Sequence, residues 1–177
     1  MKLVILDRDG VINEDCDTYI KSVAEWQPIP GSLEAIARLT QADYRVFIAS
    51  NQSAIGRGLI DFDALFAIHD RLQHSLRELG GRIDGIAFAP EHPDHATAMR
   101  KPRPGMLLDL ACRLQVPLDG VPMVGDSIGD IEAARAAGAR PVLVRTGKGA
   151  DTERRYRLPG VPVHDDLAEF VRDWLDA

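Results

Sequence analysis

Cysteine is scarce in this chain, long apolar runs are missing, and basic residues are outnumbered. Two cysteines in 177 residues, Cys16 and Cys112, are too few for a disulfide framework or a four-cysteine metal site. They fit a reducing compartment. No stretch approaches the roughly 18–20 apolar residues of a membrane span. The amino terminus carries one Lys and then only Leu3 to Leu6 before charges begin, which is no secretory leader. The expectation is a cytoplasmic protein with no membrane partner. With 21 Lys+Arg against 27 Asp+Glu, a net charge of -6, the chain lacks the basic stripe of a general nucleic-acid binder. Internal repeats and low-complexity tracts are absent too. What remains is ordinary globular composition, 45% hydrophobic and 27% charged, at a length that suits one domain over residues 1–177.

The pattern alternates short apolar runs with amphipathic stretches. Lys2 to Leu6 is too short for a helix and reads as a strand buried on both faces. Pro30-Gly31-Ser32 opens a helix through Leu33, Ile36, Ala37 and Leu39, and Arg45 to Ala49 is a second strand. Asp61 to Leu79 repeats Leu65, Ile68, Leu72, Leu76 and Leu79 at helical steps, and Gly80-Gly81 stops it. Ile83 to Ala89 reads as a third strand, Pro90 to Pro104 as a loop, and Gly105 to Gln115 as a helix. Val121 to Val124 is a fourth strand, Ile128 to Ala137 a helix closed by Gly138, and Pro141 to Val144 a fifth strand. Asp165 to Leu175 forms the last helix, with Leu167, Phe170, Val171 and Trp174 on one face. Such alternation implies parallel pairing with right-handed crossovers, hence an α/β fold: a doubly wound parallel sheet with helices on both faces.

Ligands of such sheets bind beyond the carboxyl ends of the strands. Three strands here end in polar clusters, Asp7-Arg8-Asp9-Gly10, Ser50-Asn51-Gln52 and Gly125-Asp126-Ser127, which parallel pairing brings to one edge. Asp7 and Asp9 are two residues apart, so an extended chain puts them on one side. With Asp126 and Asp130 nearby, four acids share one region and call for a cation; hard oxygen ligands favour magnesium. Taken singly, Asp126 and Asp130 read as readily as helix caps or turn formers. A carboxylate can act as a phosphoryl acceptor, and a second one as acid and then base. The three equatorial oxygens of a transferring phosphoryl group need cations and donors; Ser50 and Lys101 are the candidates. Arg57, in Gly56-Arg57-Gly58, reads more readily as a solvated turn residue than as one that reaches a second phosphate, and His69 and His74 read as surface or satisfied core histidines.

On the strings LDRDGVIN, ASNQS, RKPRPGM and VGDSIGD, taken in order, the chain resembles the haloacid dehalogenase-like phosphatases. SNQSAIGRG and VLVRTG make it similar to the branch that holds the heptose 1,7-bisphosphate 7-phosphatases and histidinol phosphatases. The intervals between these strings hold only a helix or a loop, so no large cap domain is expected, and the resemblance implies a small phosphorylated sugar as substrate. It also implies roles. Asp7 would be nucleophile and magnesium ligand. Asp9 would be general acid/base and ligate magnesium through its carbonyl. Asp126 would be the third ligand, and Asp130 would hold Lys101 or a metal-bound water. Ser50 and Lys101 would stabilise the phosphoryl group. Asn51, Gln52, Ser53 and Arg100 would contact substrate, and the segment Asp15 to Tyr19 would lie over the sugar.

Two departures stand out. Many members of that branch hold structural zinc in the loop before the Arg-Lys-Pro string, through cysteines. Here the loop has His92 and His95 and no Cys, so structural zinc is not expected. Ser127 follows Asp126 where relatives carry Lys, which weakens the substrate assignment. Histidinol phosphate stays open as the substrate, and so does a non-enzymatic phospho-acceptor switch, although the latter has no need of Asp9. The expected assembly is a monomer.

Overall fold

The computed structural model describes residues 1–177. β1 (Leu3–Leu6), β2 (Arg45–Asn51), β3 (Gly85–Ala89), β4 (Pro122–Gly125), β5 (Arg140–Val144) and β6 (Val163–His164) form one sheet. Its order is β3-β2-β1-β4-β5-β6, and every pairing is parallel. Around it run α1 (Ser32–Gln41), α2 (Ser53–Gly56), α3 (Phe62–Glu78), α4 (Gly105–Leu114), α5 (Ile128–Ala136), α6 (Gly149–Arg155) and α7 (Leu167–Asp176).

Strand alternation sorts the core into two layers. Val4 and Leu6 of β1 point to the side where Leu33 and Ile36 of α1, Leu72 and Leu76 of α3, and Phe170 of α7 pack. Leu3 and Ile5 point to the other side, against Met106, Leu107 and Leu110 of α4 and Ala134 of α5. β1 is therefore buried on both faces, as its uninterrupted apolar run predicts.

β1 lies at the switch point of the sheet. The chain winds outward from it to β2 and β3 on one side and to β4, β5 and β6 on the other. Leu6 is level with Ile48 of β2 and with Val124 of β4. That register lays Asp7, Ser50 and Asp126 along the same edge.

Several boundaries differ from the sequence expectation. β3 starts at Gly85, two residues late. There the Asp84 carboxylate takes a hydrogen bond from Val46 N (2.9 Å), the place a strand partner would occupy. α2, α6 and the two-residue β6 carry too few apolar residues to show a period. The Pro90–Pro104 loop contains a single 3₁₀ turn, Pro93–His95. α4 ends on Gln115 in the left-handed region, with φ of 55°.

Candidate active site

The carboxyl edge opens into a cleft of about 290 Å³. Of the residues expected there, Asp7, Asp9, Asp15, Tyr19, Ser50, Asn51, Ser53, Arg100, Lys101 and Asp126 all line it. Gln52 does not. Its amide is buried behind the wall, where Nε2 donates to both Asp9 Oδ2 and Ser50 Oγ at 2.9 Å. Asp130 is likewise buried, with no exposure at all.

Asp7 follows β1 and takes a hydrogen bond from Arg8 N at 2.7 Å. One carboxylate oxygen from each of Asp7, Asp126 and Asp130 falls within 4.8 Å of the others. Burial pushes the Asp7 carboxyl up to about 7, Lys101 holding it back and the neighbouring acids adding to the rise. Burial, with the charges of Asp130 and Asp7, pushes Asp126 up to about 8. Three hard oxygen ligands on an edge that resists this much negative charge fit a divalent cation.

Lys101 is the cation the protein itself supplies. Its Nζ donates to Ala49 O (2.7 Å) and lies 2.5 Å from Asp130 Oδ1 and 3.1 Å from Asp7 Oδ1. Burial works against its charge, but the carboxylates of Asp130 and Asp7 outweigh burial and raise its pKa. Asn51 fixes the Lys101 backbone from both sides, Nδ2 donating to its carbonyl and Oδ1 accepting from its N–H, each at 3.0 Å. Asp130 serves two ends: Oδ1 faces Lys101, while Oδ2 accepts from the backbone and hydroxyl of Ser127, closing a capping box on α5.

Asp9 stands apart from the three clustered acids. Arg8 Nε and Nη2 grip its two oxygens at 3.0 and 3.1 Å, and Asn13 Nδ2 adds a bond of 2.9 Å. Burial opposes its charge, but Arg8 and these donors hold its pKa below the usual carboxylate value.

Sequence reasoning missed Arg8, Lys148 and Gly147. Lys148 N donates to Asp126 Oδ2 at 2.8 Å, and its Nζ pairs with Asp15 Oδ2 at 3.0 Å across the mouth. Gly10 and Gly147 press on the Asp126 carboxylate from both sides; both have positive φ, and a Cβ on either would collide with it. The glycine of the string VLVRTG was the available signal. Arg57 is an exposed turn residue that also lines the cleft, with its guanidinium 5.7 Å from the Tyr19 ring centre. His69 is a satisfied core histidine and His74 an exposed one, both within expectation. His92 and His95 stay outside the cleft, while Pro93 between them reaches it.

A parallel sheet with acids, a lysine and a serine gathered at its switch point defines a class, and residues 98–170 match the HAD-hydrolase-like family model. The chain belongs to the D-glycero-beta-D-manno-heptose-1,7-bisphosphate 7-phosphatase family. It is 53% identical over 176 residues to the protein of that name from Bordetella bronchiseptica, covering 99% of this chain and 98% of the relative. Identity to the Pseudomonas putida protein of the same name is 51%, over 98% of this chain and 99% of that one. The crystal structure of D,D-heptose 1,7-bisphosphate phosphatase from B. bronchiseptica, complexed with magnesium and phosphate, superposes with a TM-score of 0.98 at 51% identity and 99% coverage of each chain.

Proposed function

We propose that this protein is a magnesium-dependent phosphomonoesterase that removes the 7-phosphate of D-glycero-D-manno-heptose 1,7-bisphosphate through a phospho-Asp7 intermediate. One observation carries the reading: Asp7, Ser50, Lys101 and Asp126 meet in one cleft, in a chain half identical to phosphatases of that name. Asp7, Asp126 and the Asp9 carbonyl would hold magnesium, which supplies positive charge for the phosphoryl oxygens and offsets the crowded acids.

An Asp7 oxygen attacks phosphorus while the bond from phosphorus to the sugar oxygen breaks. That oxygen leaves with a proton from Asp9. At rest Asp9 is a carboxylate; a dianionic phosphate beside it raises its proton affinity and loads it. Water then attacks the phospho-Asp7 phosphorus, Asp9 takes the proton, and phosphate leaves with Asp7 restored. Ser50 Oγ and Lys101 Nζ donate to the phosphoryl oxygens throughout. Arg100, Ser53 and the segment Asp15 to Tyr19 bind the sugar, and Gln52 acts through Ser50 and Asp9 rather than by touching substrate. The acidic net charge supports a small-molecule substrate rather than nucleic acid. No helix is long and apolar enough to cross a membrane.

Released phosphate, measured side by side on the heptose bisphosphate and on histidinol phosphate, tests the reading. Higher kcat/KM on the heptose substrate is expected, as is loss of turnover in Asp7→Asn and in excess chelator. Preference for histidinol phosphate overturns the substrate. A phosphoprotein that persists for minutes makes the chain an acceptor switch instead.

A further inference from the structure

Arg8 follows the nucleophile directly and is wholly buried, with 0% exposure. Taking a guanidinium out of water is costly, and a buried ion pair as a whole commonly adds little to stability over apolar side chains of the same size, although removing Arg8 alone would leave Asp9 unpaired. A pair of this kind is better read for the geometry it imposes than for fold stability. The geometry is specific. Arg8 grips both Asp9 oxygens, while Asp9 keeps 22% of its side chain exposed and lines the cleft. The carboxylate is held from behind and presented forward.

Two groups steer the guanidinium in turn. Gln52 Oε1 accepts from Nη2 at 3.1 Å, and His69 Nε2 lies 3.3 Å from Nη1. Arginine has no acceptor, so His69 Nε2 must be the unprotonated, accepting nitrogen. His69 comes from α3, whose Leu65, Ile68, Leu72 and Leu76 are anchored in the core. The orientation of Asp9 is thus tied to a rigid helix distant in sequence. We propose that Arg8, oriented by His69, is the positioning residue that holds Asp9 in line with the leaving oxygen of the substrate. This rests on the reading of Asp7 as nucleophile and Asp9 as acid given above.

Leaving groups separate this role from a structural one. A sugar alkoxide needs a proton as it departs, whereas p-nitrophenolate does not. The value of kcat/KM reports steps only as far as phosphoryl transfer to Asp7, before water attacks. The experiment compares kcat/KM on the heptose bisphosphate with that on p-nitrophenyl phosphate, in saturating magnesium. In Arg8→Met and His69→Phe the sugar-to-aryl ratio falls at least about tenfold, a share of the usual general-acid contribution. In His69→Gln, whose amide oxygen can accept from Arg8 Nη1, the ratio returns to near the wild-type value. Should Arg8→Met not fold, the two His69 variants decide alone. An unchanged or increased ratio, an equal loss on both substrates, or no recovery in His69→Gln overturns the proposal. A wild-type protein inactive on both compounds overturns the reading of Asp7 and Asp9, and the proposal with it.

Discussion

Lys101 gives up nearly all of its exposure to stand between two carboxylates, and that placement dictates what its loss does. In Lys101→Met, Asp130 and Asp7 lose the buried cation between them. Breaking a buried pair in this way costs about 3–5 kcal/mol of stability. The phosphoryl oxygens also lose a preorganised donor, a change worth roughly 10²–10³ in kcat. Steady-state kinetics and urea unfolding on one preparation check both. His69 gives a pH prediction. Burial, reinforced by the Arg8 charge, pushes its pKa down to about 4. The unfolded ring titrates near 6.5, so between these values the unfolded chain takes a proton that the folded one refuses. The contribution of His69 is complete above about 6.5 and is lost as pH falls toward 4, at most ~3 kcal/mol. The stability difference between wild type and His69→Gln should shift against wild type over that range; parallel curves would refute it. At this scale Asp7, Asp9, Ser50 and Asp126 were legible, because each ends or follows an apolar strand, and Lys101 because a phosphoryl site among acids calls for a cation in the loop before α4. Arg8 was not, since a charge between two acids has no periodicity to show whether it points inward. Lys148 was hidden because its contact with Asp126 uses the backbone, which residue type does not encode.

The long elements were readable and the short ones were not, for one reason. α3 shows its buried face in sequence because Leu65, Ile68, Leu72 and Leu76 recur at three- and four-residue steps. α6, GADTERR, is held by its position after β5 and offers no such period. β6 has two residues, fewer than alternation needs. The same distinction orders the costs of mutation. Leu72 is fully buried on α3, and Leu72→Ala should cost about 2–5 kcal/mol. Asp61 caps that helix by accepting from Ala64 N at 2.8 Å, and Asp61→Ala should cost only about 1 kcal/mol. Because α3 also carries His69, chemical denaturation of both variants should be paired with the sugar-to-aryl ratio. Leu72→Ala then lowers the unfolding midpoint more than Asp61→Ala does, and leaves the ratio intact wherever the helix remains folded.

Over the whole molecule, alternation of strand and helix was enough to predict parallel pairing and a shared functional edge. It was not enough to order the strands. Which strand takes the centre depends on how helices cover the two faces, and the run Leu3 to Leu6 signals burial without naming its neighbours. That central position is what sets acids from residues 7, 126 and 130 within 4.8 Å of one another, a concentration of charge that works against folding. A cation bound among these acids would therefore stabilise the fold. A ligand that binds only the native state adds about 2.7 kcal/mol at a hundredfold excess over Kd. For a chain of this size that is a rise of roughly 5–10 °C in Tm. Asp126→Asn removes one charge from the cluster and one ligand from the site. Its Tm in chelator should lie above that of wild type, while the increment on adding magnesium should largely vanish, so the two proteins exchange rank when the metal is supplied. Thermal unfolding with and without magnesium reads both effects. A variant less stable than wild type in chelator would mean that the acids are not in electrostatic conflict, and an intact magnesium increment would mean that Asp126 does not hold the ion.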